Sequence, residues 1–509
     1  MNLNCETQKA GFCEMIFESA AEQSLDADIS LPDYCPEIQR ILKCTVIPNV
    51  NSVQNNSGRV TADATAVVRV IYVGENGKTA AYEQSYPLQK FIESNRISSD
   101  SAVSVKINTD YVNCRAVNPR RIDVRGIMTF VFKVMGKRNE NILCGAHGAG
   151  IQLLTDDCSF ASMTGVCERA FSVSEVVELD DSHEPVSQII NVSPSVTAGD
   201  IKIINNKALI KGDCTVKIFY LSENGNIESM EHAMPLSQIV ELDGLCENSL
   251  TGIRLSVGSC DVSAKSNSSG DMRLVDLNVR ISAFMAAFEE IPLSLITDAY
   301  STEYEVENTV KNTEVFEYND SISSVFTNKV VFESIGVSVD CVLAVWCSDI
   351  KNAFSLKNGR CVASGTYNAT VIYRDSENQI GVIQKPVDFE YTTDLSKKAE
   401  RITCYGCASV LGCSCAVTGD SRLELKTELS VNATVFTSMM KKYIGSIDVS
   451  GKQPKKEKNC ALTIYFCGNE ETLWNIAKRY STTVDAIMTE NMIEGETVEC
   501  GKMLMIPMV

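Results

Sequence analysis

The chain has few of the residues from which catalytic centres are most often built. Its 509 residues include three histidines, His147, His183 and His232, and two tryptophans. No motif supplies any of the histidines with the serine, cysteine or carboxylate partner that nucleophilic or acid–base catalysis requires. The sequence therefore predicts a protein that is not an enzyme and that uses no cofactor.

Long apolar runs and excess positive charge are also missing. No run approaches the roughly 20 apolar residues that a membrane-spanning helix needs, and the polar residues 1–9 lack the pattern of a signal peptide. The formal net charge is −19, so nucleic acid and anionic membranes would both repel the chain. We therefore expect a cytoplasmic protein with no transmembrane segment and no nucleic-acid partner.

Cysteine, by contrast, is abundant. The 21 cysteines are odd in number and scattered, whereas a disulfide framework is typical of short secreted domains. The pattern favours a reducing compartment in which cysteine acts as a small buried apolar residue. One cluster also suits tetrahedral zinc by residue type, although alternating cysteines on a strand would equally point into a core. It consists of Cys404, Cys407, Cys413 and Cys415.

Three stretches of the chain are versions of one another. They centre on Tyr72, Tyr220 and Tyr373, each of which follows apolar residues and precedes a polar turn. The tyrosines are 148 and 153 residues apart. That spacing is one domain length and is too long for a solenoid repeat. We therefore predict three copies of one domain.

The strand before each tyrosine alternates between apolar and polar residues. A period of two with one apolar face indicates a half-buried antiparallel strand. In the first copy that face consists of Ala62, Ala64, Ala66, Val68, Val70 and Tyr72. Asn76-Gly77 and Asn224-Gly225 then predict hairpin turns, because both residue types tolerate positive φ. The third copy has Asn378-Gln379, which predicts a different turn.

These patterns predict a mainly β protein built from three antiparallel β-sandwich or barrel-like domains. We place the domains at residues 1–160, 161–305 and 306–447, and a lysine-rich linker at 448–459. A short helix is predicted within Phe12–Leu31, ahead of the first repeated strand.

The last fifty residues change to a helical period. Thr472 and Thr483 are predicted N-caps of two short helices. The buried face of the first helix is predicted from apolar residues at i, i+3, i+4 and i+7, namely Leu473, Ile476, Ala477 and Tyr480. Short strands at Thr463–Cys467 and Met503–Pro507 flank the helices. The sequence therefore predicts a βααβ domain over residues 460–509.

This segment resembles a LysM domain. The family pattern is met by Tyr465, Thr472-Leu473, Ile476-Ala477, Tyr480, Asn491 and Gly501-Lys-Met-Leu504-Met-Ile506-Pro507. Glu470-Glu471 stands where the family has Gly-Asp, beside the groove in which LysM domains hold N-acetylglucosamine chains. Trp474 is either an interface anchor or part of the domain core. The resemblance implies a partner- or glycan-binding groove that includes Glu470, Glu471, Thr472, Trp474, Lys478, Met492 and Ile493.

The stretch Ile29-Ser-Leu-Pro-Asp-Tyr-Cys-Pro-Glu-Ile-Gln-Arg-Ile-Leu42 and the repeated hairpin resemble the SPOCS-type domain of the SipL family of spore coat assembly proteins. SPOCS domains followed by one LysM domain are the layout of that family. The resemblance implies a non-enzymatic scaffold in the mother-cell cytoplasm, at the surface of the forespore. It also implies that the LysM domain binds a SpoIVA-like coat morphogenetic ATPase, and that other coat proteins are further partners.

A second interpretation stays open at this point. The chain would then be a peptidoglycan-binding protein whose LysM groove holds N-acetylglucosamine polymers. The missing signal peptide and the side chain of Glu470 weigh against it.

Overall fold

The computed structural model describes residues 3–333, 336, 338–419, 422–449, 461–469, 471–493, 495 and 499–507. Three successive sets of six strands are followed by a small domain that contains two helices. We call each set of six strands a unit and number the units in chain order. The predicted mainly β fold class is confirmed.

Unit 1 is an open sandwich of two three-stranded antiparallel sheets. Its strands are β1 (Asn4–Ser30), β2 (Ile38–Asn55), β3 (Arg59–Gly74), β4 (Thr79–Glu93), β5 (Ala102–Asn118) and β6 (Arg121–His147). The sheets have the strand orders β1-β6-β5 and β2-β3-β4. Apolar side chains from both sheets form one core between them, as in other two-layer β-domains.

Units 2 and 3 repeat this arrangement strand for strand. Unit 2 contains β7 (Ile151–Glu178), β8 (Val186–Ile204), β9 (Lys207–Ser222), β10 (Ile227–Glu241), β11 (Leu250–Lys265) and β12 (Leu274–Ser301). Unit 3 contains β13 (Glu307–Phe332), β14 (Val339–Lys357), β15 (Arg360–Asp375), β16 (Ile380–Asp394), β17 (Arg401–Gly419) and β18 (Arg422–Asp448). Their sheets are β11-β12-β7 with β10-β9-β8, and β13-β18-β17 with β14-β15-β16.

The alternation predicted before Tyr72 is confirmed. All six side chains of the predicted apolar face are at most 2% exposed. The tyrosine itself has a second role, because its hydroxyl donates to the carbonyl of Pro36 at 3.1 Å. Tyr220 makes the equivalent bond to the carbonyl of Glu184 at 3.3 Å. The repeated tyrosine therefore fills the core and ties β3 or β9 to the segment before the preceding strand.

The hairpin turn of the third copy is the same as the other two, so the predicted difference is wrong. Gly77, Gly225 and Asn378 all adopt positive φ, at 71°, 84° and 62°. Each lies five residues after its tyrosine, and its amide bonds the carbonyl three residues earlier. Asn378 thus corresponds to Gly77 rather than to Asn76, since asparagine is one of the few other residues that tolerate this conformation.

The short helix predicted within Phe12–Leu31 is also wrong. Residues 12–30 of that segment belong to β1, which pairs with β6 along nearly its whole length. Leu25, Ala27 and Ile29 alternate with exposed residues and are at most 4% exposed. This period of two, rather than the helical spacing, determines the structure.

The change from unit 1 to unit 2 comes earlier than the predicted boundary after residue 160. Gly148, Ala149 and Gly150 have positive φ and form the turn between β6 and β7. Residue 160 lies inside β7, a strand of 28 residues. A period of two does not mark where a long strand starts, whereas this turn does. Strands β12 and β13 are separated by residues 302–306, close to the predicted second boundary.

The longest strands continue beyond the sandwiches as three two-stranded arms, formed by β1 with β6, β7 with β12, and β13 with β18. The arms of all three units pack together around shared apolar clusters. One cluster consists of Ala10, Phe12, Ile142, Phe160, Leu293, Leu295, Val315 and Tyr443. The three units are therefore not separate domains, because their arms share apolar clusters.

The three units also form a closed ring. Strand β4 of unit 1 contacts β8 of unit 2, β10 contacts β14 of unit 3, and β16 contacts β2 of unit 1. Ile71, Phe219 and Ile372, the residues just before the repeated tyrosines, lie in one buried cluster between the units. These side chains are apolar although their face of the strand is outward, so both faces of β3, β9 and β15 are buried at this point.

The predicted βααβ domain is confirmed at the end of the chain. It comprises β19 (Leu462–Phe466), α1 (Leu473–Tyr480), α2 (Val484–Asn491) and β20 (Met503–Pro507), with β19 and β20 antiparallel. The predicted linker 448–459 begins at the last residue of β18, and its residues from 450 onward lie outside the described residues.

Candidate functional site: the C-terminal domain

The two helices of the C-terminal domain begin as the sequence predicts. The hydroxyl oxygens of Thr472 and Thr483 each accept a hydrogen bond from the amide three residues later, at 3.3 and 3.1 Å. Such caps satisfy amides that the first turn leaves unpaired. Leu473, Ile476 and Ala477 are fully buried beneath the sheet of β19 and β20. Thr472 therefore has a structural role that is independent of any ligand.

Helix α1 is docked on the arm of unit 2. Trp474 Nε1 donates to Asp298 Oδ2 at 2.9 Å, and Lys478 Nζ reaches both carboxylate oxygens at 2.7 Å. The ring of Tyr300 meets Trp474 edge-on at 4.9 Å, and its hydroxyl donates to the carbonyl of Thr482 at 2.7 Å. Burial, with the nearby Asp298 carboxylate, raises the pKa of Tyr300 to about 12. Trp474 and Lys478 therefore attach the C-terminal domain to unit 2.

The carboxylate of Glu471 closes the loop between β19 and α1. Its Oε2 atom accepts from the Tyr465 hydroxyl at 2.5 Å and from the amide of Gly468 at 2.9 Å. Arg479 Nη2 donates to Oε1 at 2.9 Å. The hydrogen bond from Tyr465 is the main cause of the lowered pKa of Glu471. Glu471 thus holds the loop shape and is already engaged by donors from its own domain.

The remaining predicted groove residues differ in exposure. Met492 ends α2 in the left-handed conformation, with a φ of 49°, and its side chain is 94% exposed. Ile493 packs against the core of the domain. Glu470 lies outside the described residues. Among the predicted side chains that the structure describes, Met492 is thus the one that projects almost wholly into solvent.

A surface that the sequence reasoning missed lies on the outer face of the two-stranded sheet. Leu462, Ile464 and Phe466 alternate along β19 and are 41%, 61% and 64% exposed. In the strand register they stand opposite residues of β20 on the same face. Those partners are Pro507, Met505 and Met503. On the opposite face Leu504 and Ile506 are fully buried, so β20 is apolar on both sides.

The signal for this surface is present in the sequence. A two-stranded sheet that covers one core needs only alternate apolar residues. Here Met503-Leu-Met-Ile-Pro507 is apolar without interruption, and Leu462, Ile464 and Phe466 are apolar at the outward positions. An apolar outer face of this kind is typical of an interaction site rather than of a solvated strand.

Comparison with protein families accounts for this architecture. A family model described as the SipL SPOCS domain matches residues 37–117 and 185–265. A LysM domain model matches residues 468–507. The chain carries SipL-type SPOCS domains and a LysM domain. No curated protein and no solved structure matches it significantly.

The SPOCS matches correspond to four inner strands of a unit, from β2 to β5 and from β8 to β11. Unit 3 has the same strand order in β14 to β17. SPOCS and LysM domains are binding and scaffold domains, and their combination supports a sporulation-related adaptor role. Among the described residues, no helix is long and apolar enough to cross a membrane.

The four cysteines of unit 3 that suit zinc by residue type do not converge. Cys404 lies beside Cys361 of β15, and Cys413 lies beside Cys347 of β14. The hydrogen bond with Cys361, together with burial, raises the pKa of the Cys404 thiol. Cys404, Cys413 and Cys415 instead pack against the unit 3 core. In the described part of the chain, no three metal-ligating side chains come together.

Proposed function

We propose that this chain is a non-enzymatic adaptor in spore coat assembly and that its LysM domain binds a SpoIVA-like coat morphogenetic ATPase. In this role the protein acts in the mother-cell cytoplasm, at the surface of the forespore, where further coat proteins join it. The combination of SPOCS and LysM domains supports the sporulation setting. The three joined units would then supply a rigid base for the LysM domain.

The observation that carries the proposal is the apolar outer face of the LysM sheet. Ile464 and Phe466 are more than half exposed, and they adjoin Met503 in the same face. When a partner covers exposed aliphatic and aromatic side chains, each Å² of apolar surface removed from water contributes about 25 cal/mol of favourable free energy. The same domain is held to unit 2 through the opposite side of its fold, at Trp474 and Lys478. The sheet face therefore points to a protein partner.

The charge of the segment that precedes β19 in the sequence indicates the chemistry of the partner. Residues 450–460 lead directly into β19 and contain Lys452, Lys455, Lys456 and Lys458, with one acidic residue, Glu457. The rest of the chain is strongly acidic. A partner surface that is partly apolar and partly acidic matches this combination, because complementary charges favour encounter and orientation.

Glycan binding is the second candidate, and the LysM match itself favours it. The loop that borders the expected groove holds Glu471, whose carboxylate accepts hydrogen bonds from Tyr465, Gly468 and Arg479. A bound sugar would have to compete with these donors or use the backbone beside them. We therefore rank glycan binding below the protein partner.

The location of a fluorescent fusion in sporulating cells separates these candidates. A ring around the forespore is expected for the coat adaptor, and a signal along the cell wall is expected for the glycan-binding protein. Calorimetry with N-acetylglucosamine oligomers at millimolar concentration provides the second arm. Binding heat together with a cell-wall signal would overturn the adaptor proposal.

A further inference from the structure

The three junctions of the ring use equivalent backbone positions with different side chains. The first position is three residues before the repeated tyrosine, and the second is its cross-strand partner. The third belongs to the next unit, where it pairs with the residue just before that unit's own tyrosine. In chain order the sets are Arg69, Glu83 and Asn191; Lys217, Glu231 and Ala344; and Thr370, Gln384 and Lys43. Only in the last set does the cation, Lys43, occupy the third position.

At the junction of units 3 and 1, that cation is buried. Lys43 is 8% exposed, and its Nζ donates to Thr370 Oγ1 at 2.6 Å and lies 3.4 Å from Gln384 Oε1. The same atom lies 5.4 Å from the ring centroid of Trp346, close enough for a cation–π contact. Unit 1 thus supplies the charge, and unit 3 supplies two neutral oxygen acceptors and an aromatic face.

At the other two junctions the preceding unit supplies the cation. Arg69 donates from Nε and Nη2 to Glu83 Oε2 at 2.8 and 2.6 Å, so its charge is paired within unit 1. Lys217 lies opposite Glu231 in the strand register, and its Nζ is 5.4 Å from the ring centroid of Phe219. The units that receive these faces present neutral residues at the third position.

We propose that these positions specify which unit docks against which. If unit 1 met the face of another unit 1 or of unit 2, Lys43 would face Arg69 or Lys217. Each of those sets would then contain two cations and one carboxylate, Glu83 or Glu231, in place of one cation and two neutral oxygen acceptors. The second cation repels Lys43 in a largely buried site, which is unfavourable. On the face of unit 3, the first and second positions hold Thr370 and Gln384, and both of these residues are neutral. The buried lysine therefore selects unit 3 as the partner of unit 1.

This selection controls how the chain assembles. Contacts that run head to tail either close into a ring or continue into an open polymer. A second copy of the chain offers unit 1 the same three faces, and the acceptable one, on unit 3, is already occupied by unit 1 of that copy. Once the ring has closed within one chain, no acceptable face is left free, and contact of Lys43 with the unit 1 face of another chain is disfavoured.

The test places a second cation against Lys43 in the full-length chain. Thr370→Arg is expected to open the junction, so that backbone amides of β2 and β16 exchange on the order of 100-fold faster with solvent. Adding Lys43→Met removes one of the two cations and is expected to restore slow exchange. Thr366→Arg is the matched control, since Thr366 is exposed on the same face of β15.

The pair of variants decides the proposal whichever way the first one behaves. Unchanged exchange in Thr370→Arg, or exchange that Lys43→Met fails to restore, overturns it. Should Thr370→Arg alone not fold, recovery of a folded monomer in the double variant supports the proposal. Failure of the double variant to fold counts against it, provided that Lys43→Met alone folds, because the defect is then independent of the second cation.

Discussion

At the scale of single residues, Lys43 has the most consequential environment in the protein. Burial lowers its pKa from 10.5 to about 8, and the charge of Asp349 opposes part of that shift. The folded protein therefore binds this proton less tightly than the unfolded chain does. Between pH 8 and 10.5 the unfolded chain carries more protons at this site, so stability rises with pH across that window. Below pH 8 both states are protonated and the full cost is present.

This pKa predicts the pH profile of Lys43→Met. Relative to that variant, the free energy of unfolding of the parent chain should rise by about 3 kcal/mol between pH 7 and 10.5. Urea unfolding at several pH values measures the difference, and comparison with the variant cancels the titration of other groups. Lys398→Met, which removes an exposed lysine, is the control. A parent-minus-variant difference that does not change with pH would show that Lys43 is not desolvated by the ring.

The identity of single residues predicted the two helix caps but not the contacts of Trp474 and Lys478. Thr472 and Thr483 were predicted as caps because a hydroxyl before a helix has one common use, and both are confirmed. Trp474 and Lys478 have long polar-tipped side chains whose partner, Asp298, lies 176 and 180 residues away in sequence. No local pattern indicates so distant a contact, and their roles came only from the assembled fold.

At the scale of single elements, the docking of α1 on the arm of unit 2 is testable by tryptophan fluorescence. Asp298→Ala removes the acceptor of Trp474 and the counter-ion of Lys478, contacts worth about 1 to 2 kcal/mol at this partly exposed site. Iodide quenching of Trp474 should increase in the undocked fraction, while Trp346, at 5% exposed, stays protected. Asp298→Asn keeps one acceptor and should give an intermediate result. Unchanged quenching in Asp298→Ala would mean that this contact does not hold the domain.

The strands were the elements whose existence the sequence predicted best, but their lengths were predicted poorly. A period of two identified β3, β9 and β15 correctly, because one face of each covers a unit core. The same rule gave no hint of the second buried face at Ile71, Phe219 and Ile372, which needs three units together. It also missed the turn at Gly148 to Gly150, since the long arm strands continue their pattern well beyond the sandwich.

At the scale of the whole molecule, the three units are one body rather than three independent modules. Their arms share apolar clusters, and their inner strands close a ring. The LysM domain is attached to this body through Asp298 and Tyr300 while the outer face of its sheet stays open. The arrangement suits an adaptor that holds one binding surface in a fixed orientation, since a preorganised surface loses less freedom on binding.

The most direct measurement is the equilibrium affinity of the purified coat ATPase for this chain with and without the apolar sheet face. The double variant Ile464→Ser with Phe466→Ser should weaken binding by at least about 30-fold, the loss expected when interface anchors are removed. Its thermal stability should stay close to that of the parent, because both side chains are exposed. Val325→Ser, which removes an exposed apolar side chain from β13, should bind normally. Undiminished affinity in the double variant, or in a chain that lacks residues 461–509, would contradict the account.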